Sequence, residues 1–128
     1  MRSEEGDGLV VVVEDDDKIR EILCDLLSST GFAVVPCRDA TEGLTAVRQL
    51  HPSAMTLDLT LPEMDGVEVL DRLAMDEQTA SVPVVIISTY SSDRHLRSRP
   101  QVKDVVQKPF DADVVCRKVR EAIDGRAA

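Results

Sequence analysis

Histidine and cysteine are scarce in this chain: His51 and His95 are the two histidines, and Cys24, Cys37 and Cys116 the three cysteines, among 128 residues. An odd number of widely spaced cysteines offers neither a disulfide framework nor a Cys-x-x-Cys metal or redox pair. Neither histidine stands at a zinc-ligand spacing from the other or from a cysteine, so a zinc site is not expected. The thiols read as reduced, mostly buried fillers. Long apolar runs are missing too; the longest, Leu9 to Val13 and Val82 to Ile87, fall far short of the roughly 18 residues of a membrane span. The first eight residues, Met1 to Gly8, are acidic and glycine-bearing and lack the apolar centre of a secretory signal, which predicts a cytoplasmic protein. Positive charge is the last deficit. With 15 Lys and Arg against 24 Asp and Glu the net charge is −9, and such a chain is repelled by phosphate backbones and anionic membranes. Neither direct nucleic-acid binding nor membrane insertion is expected.

What is present suits one soluble domain: 43% hydrophobic and 30% charged residues give a core without disorder. We expect an acidic tail over residues 1–8, one domain over 9–124 and a short tail over 125–128. Leu9 to Val13 is continuous and β-branched, as a strand covered on both faces should be. Ile19, Ile22, Leu23, Leu26 and Leu27 follow at helical spacing, predicting a helix from Asp17 to Ser29 stopped near Gly31. Phe32 to Pro36 reads as a second strand. Asp39 and Glu42 have the layout of a capping box before a helix over Ala40 to Leu50, which His51-Pro52 stops. Ala54 to Leu57 is a third strand, and Val67, Leu70, Leu73 and Ala74 mark a third helix. Val84 to Ile87 is a fourth strand. From Ser91 to Lys103 the periodicity degrades, predicting a short or irregular, weakly anchored fourth helix. Val105 and Val106 give a fifth strand, and a last helix runs from Asp111 to Ile123 with Gly125 ending it. This alternation predicts an α/β fold, a doubly wound five-stranded parallel sheet with helices on both faces, whose ligands gather at the carboxyl ends of the strands.

The strand ends are therefore the places to inspect. The first strand is followed by Glu14, Asp15, Asp16 and Asp17, the third by Asp58; the fourth is followed by Ser88 and Thr89, and the fifth by Gln107, Lys108 and Pro109. Three clustered carboxylates repel one another by about 3 kcal/mol per pair at 5 Å and an effective dielectric near 20. Lys108 can supply one compensating charge. A hard divalent cation with oxygen ligands, Mg²⁺ by preference, can supply the rest and keep positions open for phosphate oxygens.

Four runs standing in order at these ends make a resemblance specific. Val12 to Leu23, Leu57 to Gly66 with its Leu-Pro-Glu-Met-Asp-Gly, the hydroxyl after Pro83 to Ile87, and Lys108-Pro-Phe110 together resemble the receiver domain of bacterial response regulators, a flavodoxin-like fold, over about Leu9 to Ile123. The resemblance implies that Asp58 takes a phosphoryl group from a histidine kinase, a histidine phosphotransfer protein or a small phosphodonor. It implies that Asp15 ligates Mg²⁺ directly, that Glu14 reaches it mainly through water and that the Thr60 carbonyl completes the protein ligands. Ser88 would hydrogen-bond a phosphoryl oxygen and Lys108 would pair with the transferred group. The resemblance also implies a two-component phosphorelay, signalling through a downstream protein partner, with no enzymatic turnover beyond the domain's own phosphorylation and dephosphorylation.

Each residue has a plainer reading taken alone. Acids after a strand cap helices, and for Asp16 and Asp17 capping is the better reading; His51 reads as a helix-end residue. Two rival functions stay open: a receiver-like docking module that is not phosphorylated, and a haloacid dehalogenase-type phosphatase. Thr60 argues against the latter, because that chemistry normally wants a second Asp two residues after the nucleophile. A flavodoxin-like cofactor site is weaker still, since acids follow the first strand where a phosphate cradle wants glycine and hydroxyls. The pattern also departs from the family. Thr89 and the lone tyrosine, Tyr90, follow the fourth-strand hydroxyl. Val105 stands where a switching aromatic is common, and the stretch from Ser88 to Lys108 is about two residues short. The basic excess of Arg94, Arg97, Arg99 and Lys103 marks a stretch suited to an acidic partner.

Overall fold

In the computed structural model, residues 8–89 and 94–127 are described. Five strands and five helices alternate: β1 (Leu9–Val13), α1 (Asp17–Ser29), β2 (Ala33–Cys37), α2 (Ala40–Leu50), β3 (Ala54–Leu57), α3 (Gly66–Met75), β4 (Val84–Ser88), α4 (Arg94–Arg97), β5 (Val102–Gln107) and α5 (Ala112–Ala127). The strands form one parallel sheet in the order β2-β1-β3-β4-β5. The chain leaves β1 toward one edge for β2 and returns to the other side for β3. The crevice between the carboxyl ends of β1 and β3 is thus the switch point at which such sheets hold ligands.

The unbroken valines of β1 are explained by two cores. Val11 and Val13 pack with Val47 of α2, Leu70 and Leu73 of α3 and Leu96 of α4. Val10 and Val12 face the other way, onto Leu23 and Leu27 of α1 and Val115 and Val119 of α5. A strand buried on both faces has no room for a polar alternate, and polar residues return only where β1 ends at the acids. The helix starts follow from side-chain caps: Asp16, Asp39 and Asp65 each accept from an amide three residues on, satisfying a donor that the helix cannot. Gly31, at φ 107, turns the chain after α1 where an L-residue would be strained.

The differences from sequence expectation have physical causes. β5 begins at Val102, three residues early, because Lys103 sits in an irregularity between the Val84 and Val85 pairings. An edge strand tolerates such a charged bulge, which breaks the apolar signal without breaking the strand. β2 runs one residue later than expected, Phe32 being buried ahead of it. Gly125 does not end α5, which continues to Ala127. It has no positive φ, and a Cβ there would meet nothing within 4 Å, so it passes as an ordinary helical residue. Only Cys37 of the three thiols is buried; Cys24 and Cys116 are half-buried.

The described part of α4 is a single turn, and it is not weakly anchored. Leu96 is fully buried, Arg97 pairs with Asp104 of β5 at 3.2 Å, and Arg99 pairs with Asp71 of α3 at 2.7 Å. The Lys103 ammonium donates to the Pro100 carbonyl at 2.9 Å. These three cations therefore have partners within the fold. Tyr90 lies outside the described residues.

Candidate functional site

The site begins where the ladder outlasts the strands. The Glu14 amide donates to the Cys37 carbonyl at 3.0 Å, and the Asp58 amide donates to the Val13 carbonyl at 3.1 Å. These bonds carry the register one residue beyond β1 and β3 and set the two acids side by side. Both are buried, Glu14 at 1% and Asp58 at 3% exposure, while Asp15 is exposed at the rim. One carboxylate oxygen from each of Glu14, Asp15 and Asp58 lies within 4.8 Å of the others.

Lys108 enters from the end of β5, its amide donating to the Ser88 carbonyl at 2.9 Å. Its ammonium reaches Glu14 Oε1 at 2.8 Å and Asp58 Oδ2 at 3.3 Å. Burial works against the Lys108 charge, but the hydrogen bond to Glu14 and the charges of Asp58 and Glu14 win, and its pKa is raised. Glu14 goes the other way. Burial pushes its carboxyl up to about 7, against the opposing hydrogen bonds from Lys108 and from the Asp16 amide. One ammonium faces three acids, and burial outweighs its pull on Glu14, the least exposed of them.

The remaining contacts fix Asp58. Its Oδ1 accepts from the Thr60 amide and from the Thr60 hydroxyl, both at 3.1 Å. Ser88, at the end of β4, is completely buried. The loop after Asp58 closes on α3 with the Gly66 amide donating to the Leu59 carbonyl at 2.8 Å. An added Cβ on Gly66 would lie 2.7 Å from Leu59 Cα, so the approach requires glycine.

Every residue singled out from the sequence for the site thus sits at the carboxyl end of the sheet, and Glu14, Asp15, Asp58, Thr60 and Lys108 are in one cluster. Asp16 caps α1, while Asp17 pairs with Arg20. His51 is the left-handed cap of α2, at φ 48. Val105 is buried beside Ile86, and Arg97 donates to its carbonyl at 3.3 Å. Two further contributors escape sequence reasoning. Arg20 donates to the Glu14 carbonyl at 3.0 Å, and Glu63 accepts from the Thr41 amide and hydroxyl, tying the β3–α3 loop to α2. Neither carries a local signal: one reads as an ordinary helix charge, the other as a loop acid.

An all-oxygen set of three carboxylates, short of positive charge, suits a hard divalent cation. Among known proteins, residues 10–120 match the response regulator receiver domain family. The transcriptional regulatory protein CseB of Streptomyces avermitilis is 39% identical over 116 residues, 89% of this chain and 48% of that protein. The DNA-binding response regulator MtrA of Mycobacterium tuberculosis is 35% identical over 113 residues, 87% of this chain and 48% of that protein. The chain spans about half the length of these curated relatives. A solved sensor protein from Polaromonas sp. JS666 superposes with a TM-score of 0.86 at 30% identity, covering 92% of this chain and 97% of that one. No helix among the described residues is long and apolar enough to cross a membrane. The match over nearly its whole length, on the fold and acid cluster described, means that this chain belongs to the response regulator receiver domains, the two-component modules whose function is to be phosphorylated on aspartate.

Proposed function

We propose that Asp58 is the phosphoryl acceptor, that Glu14, Asp15, Asp58 and the Thr60 carbonyl would hold Mg²⁺, and that Ser88 and Lys108 receive the transferred group. The observation that carries this is the Lys108 ammonium resting on both Glu14 and Asp58 beside the third acid. Bound there, the cation would neutralise the carboxylates and the phosphoryl oxygens. In the transfer, an Asp58 carboxylate oxygen bonds to phosphorus while the bond from phosphorus to the donor imidazole breaks. The electron pair stays on that nitrogen, which takes up a proton, and an acyl phosphate results. Lys108 and the Ser88 hydroxyl supply charge and donors for the oxygens, so the protein's part is positioning and electrostatic stabilisation.

The donor in this reading is a phosphohistidine of a kinase or phosphotransfer protein, and the output goes through a protein partner in the cytoplasm. A net charge of −9 argues against this stretch contacting DNA itself. The domain turns over no substrate beyond its own phosphoryl group. Thr60 disfavours a dehalogenase-type phosphatase: its hydroxyl donates to Asp58 and offers no acid there.

Intact-mass measurement after mixing the protein with Mg²⁺ and acetyl phosphate tests the assignment. One phosphoryl group is expected on the wild type and none on Asp58→Asn; an adduct persisting in the variant refutes Asp58. For the cation, Asp15→Asn is expected to weaken Mg²⁺ binding at least tenfold more than Asp16→Asn, because Asp16 spends its carboxylate on the Ile19 amide. Equal affinities in a calorimetric titration count against Asp15 as a ligand.

A further inference from the structure

The peptide that joins Glu14 to Asp15 is held from outside the acid pocket. Arg20, one turn into α1, donates from Nη1 to the Glu14 carbonyl at 3.0 Å, and its side chain is 15% exposed. Its Nη2 pairs with Asp17, which is 87% exposed and engages its charge there. The first turn and the loop are otherwise one unit: the Arg20 amide donates to the Asp16 carbonyl at 2.9 Å, and the Asp16 amide donates to Glu14 Oε2 at 3.1 Å. A planar peptide gripped by its oxygen fixes the directions in which the flanking residues leave it. Here those residues are two of the three acids in the cluster.

From this geometry we infer that Arg20 is a positioning residue for the divalent-cation site, orienting the Glu14–Asp15 peptide from behind with its guanidinium aimed by Asp17. The inference rests on the reading of Glu14, Asp15 and Asp58 as that site. It is separable from a merely electrostatic role, because the two act with opposite sign. A positive charge near a cation site opposes the cation, so removing it should tighten binding by Coulomb's law alone. Removing a group that holds the ligands in place should loosen binding.

The test is calorimetric titration of the full chain with magnesium chloride, in the wild type, Arg20→Met, Arg20→Lys and Lys18→Met. Outer supports of metal ligands commonly affect affinity by tenfold or more. Arg20→Met is therefore expected to bind about tenfold more weakly, and Arg20→Lys, which keeps the charge and one donor nitrogen but not the fork, about threefold more weakly. Lys18→Met removes an equal charge from the same turn; with no hydrogen bond from Lys18 to the acidic loop among the described residues, it should bind equally or more tightly. Hydrogen exchange of the metal-free protein should quicken at the Asp15 and Asp16 amides in Arg20→Met. Affinity unchanged or increased in Arg20→Met overturns the inference, as does wild-type affinity in Arg20→Lys should Arg20→Met fail to fold. A wild type that takes up no magnesium overturns the cation-site reading and this inference together; wild-type binding with an indifferent Arg20 overturns this one alone.

Discussion

Replacing Gly66 by alanine is expected to destabilise the domain by about 2 kcal/mol and to slow phosphorylation of Asp58 at least tenfold. The added Cβ would stand 2.7 Å from Leu59 Cα and 3.3 Å from the Asp58 carbonyl, and 2.6 Å from Leu59 Cδ2. A side-chain tip can rotate away, but the backbone of Leu59 cannot move without carrying Asp58 and Thr60, its neighbours on either side. The Gly66–Leu59 bond that closes the loop would stretch, and with it the double contact from Thr60 to Asp58 Oδ1. Gly125→Ala is the control, since a Cβ at that position meets nothing within 4 Å; it should be neutral or slightly stabilising. Denaturant unfolding together with the rate of acetyl phosphate labelling decides the matter. A Gly66→Ala protein with wild-type stability and labelling would show that the loop yields at no cost.

Glu14→Gln is expected to stabilise the metal-free protein at pH 8 by about 2 to 3 kcal/mol relative to wild type, with the advantage vanishing near pH 4.5. The Glu14 carboxyl titrates near 7 in the folded chain, because of burial, against an ordinary value of 4.5. A folded pKa above the unfolded one means that the folded state binds the extra proton between those values. The stability linked to that proton is complete below about 4.5 and is lost as pH rises through about 7. Glutamine resembles the protonated acid at every pH, so subtracting one stability profile from the other isolates this group. Melting curves in chelator across about pH 4.5 to 8.5 provide the measurement. A difference that does not grow with pH would mean that Lys108 neutralises Glu14 fully. The same substitution should weaken Mg²⁺ binding, which sets stability of the empty domain against its use.

How far the sequence carries this picture depends on the range of the forces involved. The limits of α1, α2 and β3 follow from local signals, namely apolar spacing, Asp caps and the His51-Pro52 stop, and they agree with the structure residue for residue. Glu14, Asp58 and Lys108 are identifiable because a parallel sheet gathers strand ends, so three distant positions converge by topology alone. β5 is half hidden because Lys103 and Asp104 interrupt its apolar run at a bulge, and only pairing with β4 makes them strand. Arg97, Arg99 and Lys103 read as free charge because their acceptors, Asp104, Asp71 and the Pro100 carbonyl, are assigned by tertiary contact. Arg20 escapes notice for the same reason, its acceptor being a backbone carbonyl that no sequence pattern marks.

Lys108 is shared between Glu14 at 2.8 Å and Asp58 at 3.3 Å. An ammonium carries three N–H donors, so in the proposed reading Lys108 can offer the third to a phosphoryl oxygen while keeping both carboxylates. Lys108 thus ties the ends of β1, β3 and β5 together across β4 with one donor to spare.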